Sequence, residues 1–424
     1  MSTAEPGPGR LDHVIAGATH WETGECVDIA IADGRIAAIT PSENGSADPQ
    51  GPPRTEAAGW LASPAFVEPH YHMTSCFVPT DGLRDMAFED QIEDLGRKKR
   101  AFTLDDTIER VERVGRIMAA RGVVAVRSFA DTDSHARMVC FEALREARRR
   151  LAGVLDIRII AFPQHGLISD PGARDLAIAA LEAGAEYIGT NPQLERSDAL
   201  RRQEIREVFE LAERYGVDVD FHCDETDRPE SRWLEVVVDE TLARGFHGRV
   251  TVAHCMSLPK QDEAYRRRLY DRMREAGIAV ASSPMSGLLY GGVGAIDPPR
   301  GIATIKELVR AGVPVAIAQE AYGSMFAPYL LYPDPVMSGQ VMAYAAKLFS
   351  AEDLVEVWRM ITTHAAAMAG RRDYGLAVGA SADLVLLRAD SAADALTTLA
   401  PARRIYRDGR LVAESCYEDV RLDA

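Results

Sequence analysis

The sequence predicts an α/β fold: a (β/α)8 TIM-type barrel with a small β-sandwich-like domain formed from both chain termini. Three observations carry this. From Leu61 onward, short apolar runs alternate with longer, charge-rich segments of helical periodicity. Eight such runs fit within 424 residues, a number that suits a closed barrel better than an open sheet. Strand-like stretches also precede and follow the alternation, at both ends of the chain.

Residues 1–10, proline- and glycine-rich between polar side chains, read as a disordered tail. "VIAGA" and "CVDIAIADGRIAAI" are strand-like, and Asp33-Gly34 inside the second is a strong hairpin signal. Residues 41–59 form a loop by composition. The barrel candidates follow in order: "SPAFVEPHYH", "VVAVRSFA", "DIRIIAFPQ", "YIGTNP", "VDVDFHCDE", "RVTVAHC", "IAVASSP" and "VPVAIAQE". Segments such as "EIREVFELAERYG" between them repeat apolar residues at helical spacing, which predicts parallel strands covered by helices. After the last helix, "ADLVLLRA", "ARRIYRDG" and "RLVAE" return to strand character and repeat the Asp-Gly turn. The expected organisation is a composite β domain from residues 11–60 and 375–424, with the barrel, residues 61–374, inserted between.

Composition narrows the partners. There are 48 Lys and Arg against 64 Asp and Glu, a formal charge of -16, which disfavours nucleic acid or an anionic membrane surface as partner. With 47% apolar and 26% charged residues the chain reads as soluble and globular. Its six cysteines show no CxxC spacing, and the N-terminus lacks a secretory pattern, so a reduced, cytoplasmic setting is expected. No apolar run approaches membrane-spanning length. Homo-oligomerisation stays open.

The unusual residues gather at strand ends. The first strand ends in His70 and His72, the third in Gln164 and His165, and the fifth in His222 with Glu225. The sixth ends in His254 and the eighth in Gln319 and Glu320. In a barrel these C-terminal ends share one mouth, where active sites are built. Strand alternation sends His70 and His72 to the same side. Each histidine alone reads as a polar strand cap satisfied by a hydrogen bond. Together, His70, His72, His222 and a carboxylate make a set suited to Zn²⁺, Fe²⁺ or a similar divalent ion such as Mn²⁺. Strand four ends in Asn191 rather than a lysine that could bridge two metals, so one ion is expected.

"VEPHYH", "AFPQHG", "HCDE", "VAHC" and the strand-eight end resemble the metal-dependent amidohydrolase superfamily, most closely the cytosine deaminase family. The resemblance runs over most of the chain, including "DYGLAVGASADLVLL" and "RRIYRDGRLV". It implies His70, His72 and His222 as metal ligands and Glu225 as the proton shuttle. It implies His254 as the contact to metal-bound water or the developing oxyanion, and Gln164 as a substrate contact. The aromatic residue that stacks on the base corresponds to Phe326 or Tyr322. At strand eight the family typically has an Asp that binds metal and orients water. Glu320 stands there in this chain, and Ala321 replaces a second Asp that contacts the pyrimidine.

The implied activity is hydrolytic deamination of an amino-substituted nitrogen heterocycle, cytosine-like but not cytosine itself. Glu320 would both bind metal and aim the water. Hydrolysis of an N-substituted heterocycle or a cyclic amide is the alternative, followed by ligand binding without catalysis. His165 could reach the substrate or cap its loop, and Phe326 and Met325 could equally be packing residues. Asp224 is expected to anchor a loop or helix, and Cys223 and Cys255 to face the surrounding helices. His364 reads as structural, and "YGGVGAIDP" as a strand-seven loop and candidate pocket lid.

Overall fold

The computed structural model describes residues 11–42, 51–78, 88–292, 299–324 and 332–416. Eight parallel strands lie side by side in sequence order: Phe66–Tyr71, Val123–Asp131, Asp156–Phe162, Tyr187–Thr190, Asp218–Cys223, Val250–His254, Ala279–Ser282 and Val315–Ile317. Isolated bridging between Tyr71 and Glu320 joins the last strand's continuation to the first. The result is the α/β barrel that the alternation predicts.

The helices form where caps and apolar spacing coincide. In Asp198–Tyr215 the Ser197 hydroxyl accepts from the Leu200 amide, and Gly216 ends the helix at φ 70°. Its buried face carries Ile205, Val208, Phe209 and Ala212, the i, i+3, i+4, i+7 stripe that packs against a sheet. Among the described residues, no helix is long and apolar enough to cross a membrane.

The predicted run "SPAFVEPHYH" divides at Ala65. Leu61–Pro64 pairs antiparallel with Leu384–Leu387, whereas Phe66–Tyr71 opens the barrel. The terminal strands form one hydrogen-bonded sheet of eight, in the order Arg410–Ser415, Arg403–Arg407, Leu384–Leu387, Leu61–Pro64, His13–His20, Cys26–Ala32 and Arg35–Pro41. Arg54–Glu56 completes it by pairing with His13–His20, inside the stretch read from composition as loop. Asp33 and Gly34 take φ 50° and 71°, and Asp408 and Gly409 take 46° and 72°, so each hairpin turn has consecutive left-handed residues. The two turns touch, since a Cβ on Gly34 would lie 3.1 Å from that of Asp408.

Buried charges tie the sheet to the barrel and organise the barrel interior. The Arg403 guanidinium, fully buried, donates to both oxygens of Asp334 at 3.0 and 2.9 Å and to the Arg121 carbonyl at 2.9 Å. Asp334 also caps helix Pro335–Ala346 by accepting from the Val336 amide. Inside the barrel, Arg127 of the second strand donates to Asp220 of the fifth at 2.5 Å. Asp220 lies two residues before His222, one layer deeper on the same face.

Removing one member of a buried pair leaves the other charge unpaired. Arg403→Met is therefore expected to cost about 3–5 kcal/mol, read as a lower urea midpoint than the parent's.

Candidate active site

The site is assembled at the barrel mouth, and its four clustered side chains come from three strand ends. His70, His72, His222 and Glu320 each offer one ligand atom, and these atoms all lie within 4.8 Å of one another. Glu320 Oε1 is 3.7 Å from His70 Nε2 and 3.5 Å from His72 Nε2, while His72 Nε2 and His222 Nε2 are 3.2 Å apart. Among the described residues, neither ring nitrogen of His70 has a hydrogen-bond partner, nor does Nδ1 of His222. Three imidazoles and a carboxylate thus converge, a donor set that fits a divalent cation.

The local chain explains this convergence. Sequence read Val313 to Glu320 as the eighth strand, but regular pairing ends at Ile317. Beyond it, Glu320 turns to φ 79°, a left-handed conformation that non-glycine residues seldom adopt. Its carbonyl accepts from the His72 amide at 2.7 Å, which fixes the two strands' ligands against each other. Glu68 spans the same seam, its Oε1 accepting from the amides of His70 at 3.1 Å and Gln319 at 3.3 Å. Ser286 donates to Glu320 Oε2 at 3.3 Å, leaving Oε1 to the histidines.

Aromatic rings hold the imidazoles. Phe129 stacks on His72 at 4.7 Å and meets His70 edge-on at 4.4 Å, while Phe162 lies 4.6 Å from His222. Burial favours neutral rings: it lowers His72 to about 3, against the pull of Glu320, and holds His222 well below the usual imidazole value. Neutral imidazole is the form that ligates metal. Burial works to raise the Glu320 carboxyl, but the neighbouring His254 and His70, when protonated, outweigh it and hold it below the usual carboxylate range.

Glu225 sits just past the fifth strand, with Oε1 3.7 Å from His254 Nε2. Burial, reinforced by the charge of Glu320, pushes its carboxyl well above the ordinary range. Asn191 donates to Glu225 Oε2 at 3.2 Å, and the Gln193 side chain accepts from the Glu225 amide at 2.8 Å. His254 has φ 67° and is lowered to about 4 by burial, despite Glu320.

A small cavity opens among His72, His222, Gln164, Glu225 and Glu320, and is completed by Ile92 and Tyr290. Gln164 therefore sits beside the cluster, as the sequence suggests. His165 does not line this cavity; its ring lies 4.3 Å from that of His135 and its Nε2 3.7 Å from Asp133, against Gly96 of helix Phe88–Lys99. Tyr322 packs instead between Phe77 and Tyr332, with ring centroids at 5.3 and 5.5 Å. Phe326 and Met325 lie outside the described residues.

The supporting residues follow the same logic. Asp224 accepts from Ser231 and from the Trp233 and Leu234 amides, anchoring helix Trp233–Arg244. Cys223 and Cys255 are fully buried. His364 Nδ1 meets the Val315 carbonyl at 3.0 Å. Ile92, Asn191, Gln193, Ser286 and Tyr290 gained no site role from sequence. Asn191 carried a signal, because it ends a strand whose neighbours end in the candidate site residues Gln164 and His222. Ile92 and Ser286 lie on helices without a distinguishing motif.

Comparison with known proteins agrees with this geometry. The chain is 28% identical over 410 residues to pterin deaminase of Rhizobium rhizogenes, covering 93% of this chain and 90% of that protein. It is 25% identical over 416 residues to N-isopropylammelide isopropyl amidohydrolase of Pseudomonas sp. strain ADP, covering 95% and 98%. The crystal structure of 5-methylcytosine deaminase from Klebsiella pneumoniae superposes with TM-score 0.92 at 28% identity, over 96% of this chain and 99% of that one. The sequence profile of the amidohydrolase family matches residues 80–413. With barrel, ligand cluster and profile in agreement, the chain belongs to the amidohydrolase family.

Proposed function

We propose that the protein is a metal-dependent hydrolase that removes an exocyclic amine from a nitrogen heterocycle. The observation that carries this reading is one cavity shared by a cation-fitting cluster and a buried carboxyl, Glu225, whose pKa is raised. Kinship with a pterin deaminase, a 5-methylcytosine deaminase and an N-isopropylammelide hydrolase supports the substrate class.

His70, His72, His222 and Glu320 would hold one divalent ion, Zn²⁺ or Fe²⁺ by the chemistry of the donors. Such an ion lowers the pKa of water toward 7 and polarises the bond under attack. The chain's own groups supply the remaining steps. Glu320 is ionised and can accept a proton from the attacking water. Glu225, protonated and steadied by Asn191, gives its proton to a ring nitrogen or to the leaving amine. His254, neutral, offers a hydrogen bond to the oxygen that gains charge as the ring carbon becomes tetrahedral. Gln164 can pair with the polar edge of the ring. Water thus replaces the amine, leaving ammonia and a ring carbonyl.

Loss of a substituted amine is a second reading, favoured by the kinship with the N-isopropylammelide enzyme. Product mass distinguishes them, because free ammonia and an alkylamine leave different fragments from the same ring.

Two variants test the assignment. Glu225→Gln keeps the shape but cannot shuttle a proton, so turnover should fall by at least about 10²-fold with metal content unchanged. Parental rates in that variant would remove Glu225 from the proton path. His222→Ala should bring metal content, measured by elemental analysis, from near-stoichiometric to a small fraction. Unaltered stoichiometry would take His222 out of the ligand set.

A further inference from the structure

We propose, resting on the reading of His70, His72, His222 and Glu320 as metal ligands, that Glu68 is a positioning residue. Its buried carboxyl sets His70 and Glu320 at the spacing a bound cation needs. Glu68 lies on the first barrel strand, two residues before His70, and is 1% exposed. One of its oxygens, Oε1, accepts from two backbone amides, those of His70 at 3.1 Å and Gln319 at 3.3 Å. The first amide belongs to a member of the cluster, and the second to the residue immediately before another. A single acceptor atom therefore joins the ligand-bearing segments on both sides of the seam.

Both amides sit where regular strand pairing gives out. Pairing of the first strand with the second slips here: Glu68 stands opposite Val126 and Tyr71 opposite Ser128, so three steps on one strand match two on the other. Such a bulge leaves its extra residue outside the regular ladder and re-aims the side chains next to it. Pro69, inside the slip, has no amide hydrogen to give. On the eighth strand regular pairing ends at Ile317, and the Ala321 amide turns back to the Gln319 carbonyl at 3.1 Å. In place of strand-to-strand pairing, the Glu68 side chain takes one amide from each side.

The consequence for the cluster is geometric. The His72 amide on the Glu320 carbonyl, at 2.7 Å, fixes one first-strand ligand against Glu320. Glu68 does the same for His70, whose ring has no hydrogen-bond partner among the described residues to orient it. Without the acceptor, two buried amides lose their partner, and the bulge and the turn before Glu320 shift until they find others. Both ligands move with them. A carboxylate, a carboxyl protonated on Oε2 and a glutamine amide all offer the accepting oxygen, so the role rests on position and not on charge.

Three variants of the full chain separate the acceptor from the bulk of the side chain. Glu68→Gln keeps an accepting oxygen in place, Glu68→Asp draws it back by one methylene, and Glu68→Met keeps the volume and removes it. Each is titrated calorimetrically with Zn²⁺ and loaded with Co²⁺, whose visible d–d bands report ligand geometry. Glu68→Gln should bind Zn²⁺ within about three-fold of the parent and keep its Co²⁺ bands. Glu68→Met should bind on the order of 10- to 100-fold more weakly with altered bands, and Glu68→Asp should fall between. A residue that merely supported the fold would lower the melting temperature and leave the bands of the loaded protein unchanged. Parental bands in Glu68→Met, or in Glu68→Asp should Glu68→Met not fold, overturn the proposal, as does a Glu68→Gln that behaves like Glu68→Met. A parent chain that binds neither ion overturns it together with the metal-ligand reading. The expected bands in a chain that releases ammonia from no amino-substituted pyrimidine or pterin support the role of Glu68 and count against the deaminase reading.

Discussion

The seam between the first and eighth strands is the constraint on which the rest of the site depends. Regular pairing of the eighth strand stops at Ile317, and closure passes to the Tyr71–Glu320 bridge and the His72 amide on the Glu320 carbonyl. That contact fixes the barrel's circumference and also sets Glu320 against His70 and His72. A glutamate is one methylene longer than the aspartate the family typically carries at this place. The left-handed backbone at Glu320 and the Ser286 hydroxyl on its outer oxygen give the longer side chain a defined position.

Several ionisable groups share this pocket, and burial sorts them. It keeps His72, His222 and His254 neutral, with lone pairs or N–H groups available. It raises Glu225, while the neighbouring imidazoles, when protonated, lower Glu320. Two carboxyls in one cavity are thereby shifted in opposite directions, the pattern by which a site separates a proton donor from an acceptor. The non-glycine residues Asp224, His254, Cys255 and Glu320 all adopt positive φ around this mouth. Such strain persists where the surrounding structure over-determines it, and at Glu320 the His72 amide on its carbonyl supplies that constraint.

Much of this was legible in the sequence because it is written in local periodicity. The eight barrel strands, the two Asp-Gly hairpins and the inward pairing of His70 with His72 follow from patterns a few residues long. Long-range packing was not legible. His165 adjoins Gln164 in sequence, yet its ring faces Asp133 and His135, because the chain leaves the third strand after Phe162. Tyr322 follows Glu320 closely but turns toward Phe77 and Tyr332. Ile92 and Tyr290 reach the cavity from helices lying 198 positions apart, the difference between 290 and 92. Nothing in either helix's own pattern announces that meeting. Arg403, unremarkable on a strand, proved to be the buried tie between terminal sheet and barrel.

The most direct measurement is an anomalous-scattering map, at the zinc edge, of crystals grown with Zn²⁺. The account predicts one peak per chain at the barrel mouth, about 2.0–2.2 Å from ligand atoms of His70, His72, His222 and Glu320. A metal-replete crystal with no peak there would contradict it. So would a principal peak at the neighbouring Asp133, His135 and His165 group.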